Sequence, residues 1–209
     1  MPSASSQRTR RYAGRALAAL IAVAAAMLGL SAGAQATVSF ATAPALPTLP
    51  AITLNGHAQT TTTAMTNFAI SSSNPNSGWN VTVAGLSGGA NSPVFKQYCP
   101  NATCGTDIGP GYIAAGYTLP ADSLTLNTTG ATWTTGGTKP TFRCNAGCHV
   151  DNATATKIVS ASTSVATGTW TTTGFSATSL SLTTPTTLKK LRTNEVYRVN
   201  VVWTLNSGP

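Results

Sequence analysis

The chain has 209 residues, a formal net charge of +8 and only 8% charged residues. Arg8, Arg10, Arg11 and Arg15 carry half of that excess, so from Thr37 on eight Lys and Arg face four acids, a net charge of +4. So thin and scattered a charge excludes a nucleic-acid footprint, the one basic cluster being LKKLR (Leu188–Arg192), while leaving room for weak attraction to anionic wall polymers.

The first element is expected to lie outside the fold. The four arginines precede an apolar run from Ala16 to Leu30, and Ala34 and Ala36 follow at the small-residue positions that a signal peptidase reads. The run is short of the roughly 20 residues that span a bilayer. Residues 1–36 are therefore expected to be a secretory signal peptide, with no stable membrane span after cleavage. Residues 37–48 hold a short strand candidate, TVSFA, and the start of a proline-rich stretch, ATAPALPTLPA (Ala41–Ala51), read as an extended linker or irregular edge.

Residues 49–209 are long enough for one domain with its own core. Strand candidates follow one another: AITL, TNFAIS, GWNVTVAG, YIAAGYT, SLTLN, ATWTT, PTFRC, TKIVSAS, SVATGTW, SLSLTT and EVYRVNVVWTLN. Gly, Asn, Ser and Pro separate them, and no long stretch has helical periodicity. The pattern predicts an all-β, antiparallel, Ig-like β-sandwich in a single domain.

Two of these runs alternate cleanly. Trp79, Val81 and Val83 share one face of the first, and Tyr197, Val199, Val201, Trp203 and Leu205 share one face of the last. The length of the last run predicts a central or load-sharing strand of a sizeable sheet. Filling the space between sheets is the plain role of both Trp strands. Trp133 and Trp170, set in Thr-rich runs, are instead expected to form an exposed aromatic platform for sugar rings.

Cys99 and Cys104 in YCPNATCG, with Cys144 and Cys148 in RCNAGCHV, read as two disulfides of an oxidising compartment. Three pairings are possible. The turn-forming spacers PNAT and NAG favour the local pairs, Cys99–Cys104 and Cys144–Cys148. A zinc site on the same cysteines with His149 would need reduced thiolates, so no metal is expected. A Ser-His-Asp set drawn from His57 or His149 and Asp122 or Asp151 lacks a GxSxG elbow, so neither an enzyme nor a cofactor is expected. Asn-x-Ser/Thr sequons at Asn80, Asn101, Asn127 and Asn152 are what a Thr- and Asn-rich chain produces by composition.

The two tryptophan strands also carry a resemblance. SGWNVTV near the start and YRVNVVWTLNSGP at the end resemble the proximal and distal motifs of the WxL-domain proteins of Gram-positive bacterial cell surfaces. Trp203 and Leu205 match the distal motif with Tyr197 ahead of them, and Trp79 matches the proximal Trp, with Val81 standing where the family has leucine. The resemblance spans about Leu49 to Pro209. It implies non-covalent attachment to cell-wall peptidoglycan, often together with other surface proteins. No LPxTG-type sorting tail is seen, which fits that mode. The alternative expectation is an assembly subunit whose terminal strand pairs with another surface protein.

Overall fold

Threonine and β-branched residues broken by turn formers build the strands, and the computed structural model describes residues 37–74, 77–134, 138–165 and 167–208. The signal-peptide expectation for residues 1–36 lies outside them. In chain order the strands are β1 (Val38–Thr42), β2 (Gln59–Thr63), β3 (Ala69–Ser73), β4 (Trp79–Gly85), β5 (Lys96–Cys99), β6 (Thr103–Cys104), β7 (Asp107–Ile108) and β8 (Gly111–Tyr112). Next come β9 (Leu124–Leu126), β10 (Thr132–Trp133), β11 (Thr141–Phe142), β12 (Cys148–His149) and β13 (Thr156–Ala161). Then follow β14 (Thr167–Thr173), β15 (Leu180–Thr184), β16 (Val196–Arg198) and β17 (Val201–Ser207). Every strand ladder is antiparallel.

Two four-stranded sheets, ordered β1-β3-β14-β10 and β11-β13-β4-β17, make the sandwich. Their inner faces meet where the Trp79 ring of β4 lies 5.5 Å from the Trp170 ring of β14. At one side of the sandwich Trp133 of β10 stacks on Phe142 of β11, with centroids 4.9 Å apart. At the other side β1 runs beside β17. A third sheet, β12-β9-β15-β2, places Leu180 opposite Leu126 and Leu182 opposite Leu124, and all four are buried in the same core. The fold is all-β, antiparallel and sandwich-like, as the alternation predicts.

Glycine flanks β4 for a reason of space. A Cβ on Gly78 would run into the carbonyl oxygen of Ala161, and one on Gly85 into that of Pro93. The SG before Trp79 is therefore a close-approach device that lets the Trp strand lie tight against β13.

The terminal alternating run is two strands, not one. Val196–Arg198 pairs with β5 in a small sheet ordered β16-β5-β8, while Val201–Ser207 pairs with β4. Asn200 makes the corner. Its N–H donates to the Ser92 carbonyl at 3.1 Å and its own carbonyl accepts from Leu86 N–H at 2.7 Å. Its side chain accepts from the Tyr112 hydroxyl at 2.9 Å and donates to Asn91 Oδ1 at 2.6 Å. Side-chain alternation passes through the corner unchanged, which is why periodicity alone reads a single strand. β17 is also an edge strand, not a central one.

Both local disulfides form, Cys99–Cys104 and Cys144–Cys148, with Cα atoms 5.6 and 5.2 Å apart. Each closes only a short loop, so the entropy it removes from the unfolded chain is worth about 2 kcal/mol. They pin stretches with short ladders, β6–β7 and β12–β9 having two residue pairs each.

Candidate functional site

The two motif strands, far apart in sequence, are direct neighbours. Leu205 lies opposite Val81, Trp203 opposite Val83, and Ser207 opposite Trp79. One inward face thus carries Trp79, Val81, Trp203 and Leu205, while Tyr197 stands on β16 in the small sheet, and the two halves on the shared face differ in exposure. Trp79 and Val81 are fully buried, whereas Trp203 and Leu205 are half-buried at the rim of the core.

The expected platform is not there. Trp133 and Trp170 are 4% and 2% exposed and fill the space between the sheets. The cause lies in their strands: β14 turns Trp170 and Thr172 inward, and Trp133 sits between Phe142 and Phe68, whose ring meets it edge-on at 6.0 Å. Threonine occupies both faces of this strand, Thr172 inward and Thr169 outward, so Thr-rich surroundings do not say which way a Trp points.

The open side of β17 is the first candidate surface. Asn200 pairs with Leu86 and Gly208 with Gly78 through backbone bonds, which fixes the parity of the ladder. Even-numbered residues of β17 bond to β4, and the N–H and C=O groups of Val201, Trp203, Leu205 and Ser207 point to the open side. Natural edges are blunted by shortness, charge, proline or bulges. β10, β11 and β12 are two residues long, and the β1 ladder has a register break between Phe40 and Thr42. β17 has none of these protections: seven residues, VVWTLNS, in unbroken register with β4 and with no charge and no proline.

The second candidate surface is an apolar groove of about 850 Å³ beneath the proline-rich stretch. Phe95, Leu119, Leu124, Leu180 and Leu182 form its floor, and Leu46, Leu49 and Ile52 its outer wall. That wall repeats every three residues: Leu46, Leu49 and Ile52 are half-buried, while Ala45, Thr48 and Ala51 are exposed. Pro44, Pro47 and Pro50 keep the same period, which is the repeat of a polyproline II helix. The stretch is thus a strap packed on the core, not a free linker. No backbone hydrogen bond holds residues 46–52 among the described residues.

Tyr197 joins the motif to this groove. It lines both the large groove and an adjoining pocket of about 560 Å³ that also holds Tyr117. Its hydroxyl donates to the Lys189 carbonyl at 3.1 Å, which fixes the Lys189–Lys190 loop at the groove rim. Burial pushes the Tyr197 phenol above its ordinary value. Arg198, from the same strand, lies 4.5 Å over the Tyr98 ring. Sequence reasoning missed the strap, and the three-residue spacing of its prolines is the signal that marks it.

Buried acids complete the inventory. Glu195 is 9% exposed, and its Oε2 accepts from Gln97 Nε2 at 2.6 Å and from Arg192 N–H at 2.9 Å, while Oε1 is buried without a hydrogen-bond partner. Asp151 is fully buried, with Oδ1 accepting from Leu124 N–H at 2.9 Å and Oδ2 from Ser123 N–H at 3.0 Å. Burial pushes the Asp151 carboxyl above the ordinary aspartate value, against the lowering pull of those N–H groups. The native state therefore holds this proton to higher pH than the unfolded chain does. Stability from this group falls as pH rises from the ordinary aspartate value through the raised one. Even so, Asp151→Asn is expected to cost about 1–3 kcal/mol at neutral pH, because an amide can accept only one of the two N–H groups and leaves the other buried and unpaired. Chemical denaturation of the variant from pH 3 to 8 checks both statements.

Neither His57 nor His149 shares a hydrogen bond with a carboxylate or a serine hydroxyl among the described residues; His149 Nδ1 sits 3.4 Å from Thr125 Oγ1. The sulfurs next to His149 are bonded to each other. The Asn80 amide is engaged inside the fold, donating to the Gly208 carbonyl at 2.9 Å. No family model matches the chain, and no curated protein and no solved structure matches it either.

Proposed function

We propose that this is an exported cell-surface protein that attaches non-covalently, and that the attachment is strand addition along the open side of β17 by another surface protein. The seven-residue edge, which has β1 beside it but no hydrogen-bonded strand on its outer side among the described residues, carries this reading. Main-chain bonds to Val201, Trp203, Leu205 and Ser207 would supply affinity, and the half-buried Trp203 and Leu205 would supply selectivity. The two disulfides fit an oxidising compartment outside the cytoplasm. Direct binding to cell-wall peptidoglycan and its anionic polymers, as the WxL resemblance implies, is the second reading. The grouping of Lys189, Lys190 and Arg198 around one rim favours it.

Sedimentation with isolated cell-wall sacculi separates the two. Strand addition expects the protein to pellet with untreated sacculi and to stay in solution once other surface proteins have been stripped off. Pelleting that survives protein stripping would reverse the order of the two readings. Loss on removing anionic polymers, or at raised salt, would reduce the interaction to the +4 charge alone.

A further inference from the structure

We infer that the groove beneath the proline-rich strap binds an anionic amphiphile with a single acyl chain. Four observations support this, none of which involves the β17 edge. The volume, about 850 Å³, lies within the range of sites that enclose a small ligand. The lining is mostly aliphatic, with Phe95 and Tyr197 as its aromatics. Thr48, Thr184, Glu195 and the Tyr197 hydroxyl, which is bonded to the Lys189 carbonyl, are its few uncharged-polar or acidic members. A peptide in such a groove would bring an N–H and a C=O per residue into surroundings with few partners for them. An acyl chain brings none.

The rim selects the head group. Lys189 and Lys190 are exposed at the groove, and among the described residues the ion pair present is Arg192 with Asp107, so neither lysine has an acidic partner. An anion at the mouth supplies one. The strap provides the way in. Its middle, residues 46–52, is held by the side chains of Leu46, Leu49 and Ile52 without a backbone ladder, while hydrogen bonds between Ala45 and Thr66 and from Gln59 to the Thr53 carbonyl pin its ends. Lifting the middle therefore breaks apolar contacts, a local opening at the low end of the stability range.

The test is calorimetric titration of residues 36–209, which contain every described strand and core residue, with 1-palmitoyl-lysophosphatidylglycerol below its micellar concentration. Uptake of one equivalent is expected, with a negative heat-capacity change from apolar burial. Binding should be about tenfold tighter than for the zwitterionic 1-palmitoyl-lysophosphatidylcholine. K189Q/K190Q should abolish that preference while keeping the chain bound. L188W, which places an indole in the groove, should weaken both lipids, with near-UV circular dichroism reporting whether the variant is folded. If it is not, the exposed lysine pair still decides the matter. Absence of saturable uptake, an unchanged preference in the lysine variant, or binding to phosphatidylglycerol vesicles without uptake of the monomer would each overturn the inference.

Discussion

Replacing Trp79 by alanine will lower stability by about 3–5 kcal/mol, and replacing Trp203 will cost less than half as much. Both residues belong to the same inward face and their strands are adjacent. Their surroundings decide the difference. Trp79 is fully buried, faces the Trp170 ring at 5.5 Å, and sits in a strand with ladders on both sides. Truncation leaves a cavity between two sheets that cannot collapse without breaking β3 or β14. Trp203 lies on a strand with one ladder neighbour and is half-buried, so water fills much of the space its ring vacates. The Trp79 Nε1 is buried without a partner, which already costs the native state something. Trp79→Phe, which keeps a ring and removes that N–H, will therefore be much milder than Trp79→Ala. Urea unfolding followed by far-UV circular dichroism measures all three. Equal losses at positions 79 and 203 would mean that the edge Trp is as much a part of the core as the central one.

Alternation made the sheet class and the inward faces legible. Trp79, Val81 and Val83 point inward as their spacing says, and so do Tyr197, Val199, Val201, Trp203 and Leu205. Period two fixes which side a residue faces, and it is silent about which neighbour its strand acquires. That is why the corner at Asn200 was invisible: an asparagine on the polar face of a strand and one holding a sheet switch through four hydrogen bonds look the same in sequence. The platform assigned to Trp133 and Trp170 failed for a related reason. Threonine is at home on both faces of a strand, so its abundance cannot say whether an intervening Trp looks in or out. The local disulfides were legible because turn-forming spacers make short loops close on their own. The groove was not, since its floor comes from β9, β15 and the residues around Phe95 and Leu119, and only folding brings the strap across them.

Two prolines placed on the open side of β17 will leave the fold standing and abolish attachment, whereas one placed on its paired side will damage the fold itself. Val201 and Ser207 turn their N–H groups away from β4, so V201P/S207P removes no ladder bond and is expected to cost about 1 kcal/mol or less, as proline at an open sheet edge does. Thr204 turns its N–H toward Thr82. Thr204→Pro removes that donor, leaves a carbonyl in the middle of the sheet unpaired, and is expected to cost about 2–4 kcal/mol although the Thr204 side chain is exposed. Thermal unfolding compares the two variants, and sedimentation with untreated sacculi reads out attachment. If the double variant unfolds as readily as Thr204→Pro, the parity assigned to the ladder is reversed. If it is stable and still pellets, no strand adds at this edge, and the cationic rim around Lys189 and Lys190 becomes the surface to alter next. A stable protein that no longer pellets would show that a single strand serves two ladders, an inner one that completes the sandwich and an outer one left for a partner.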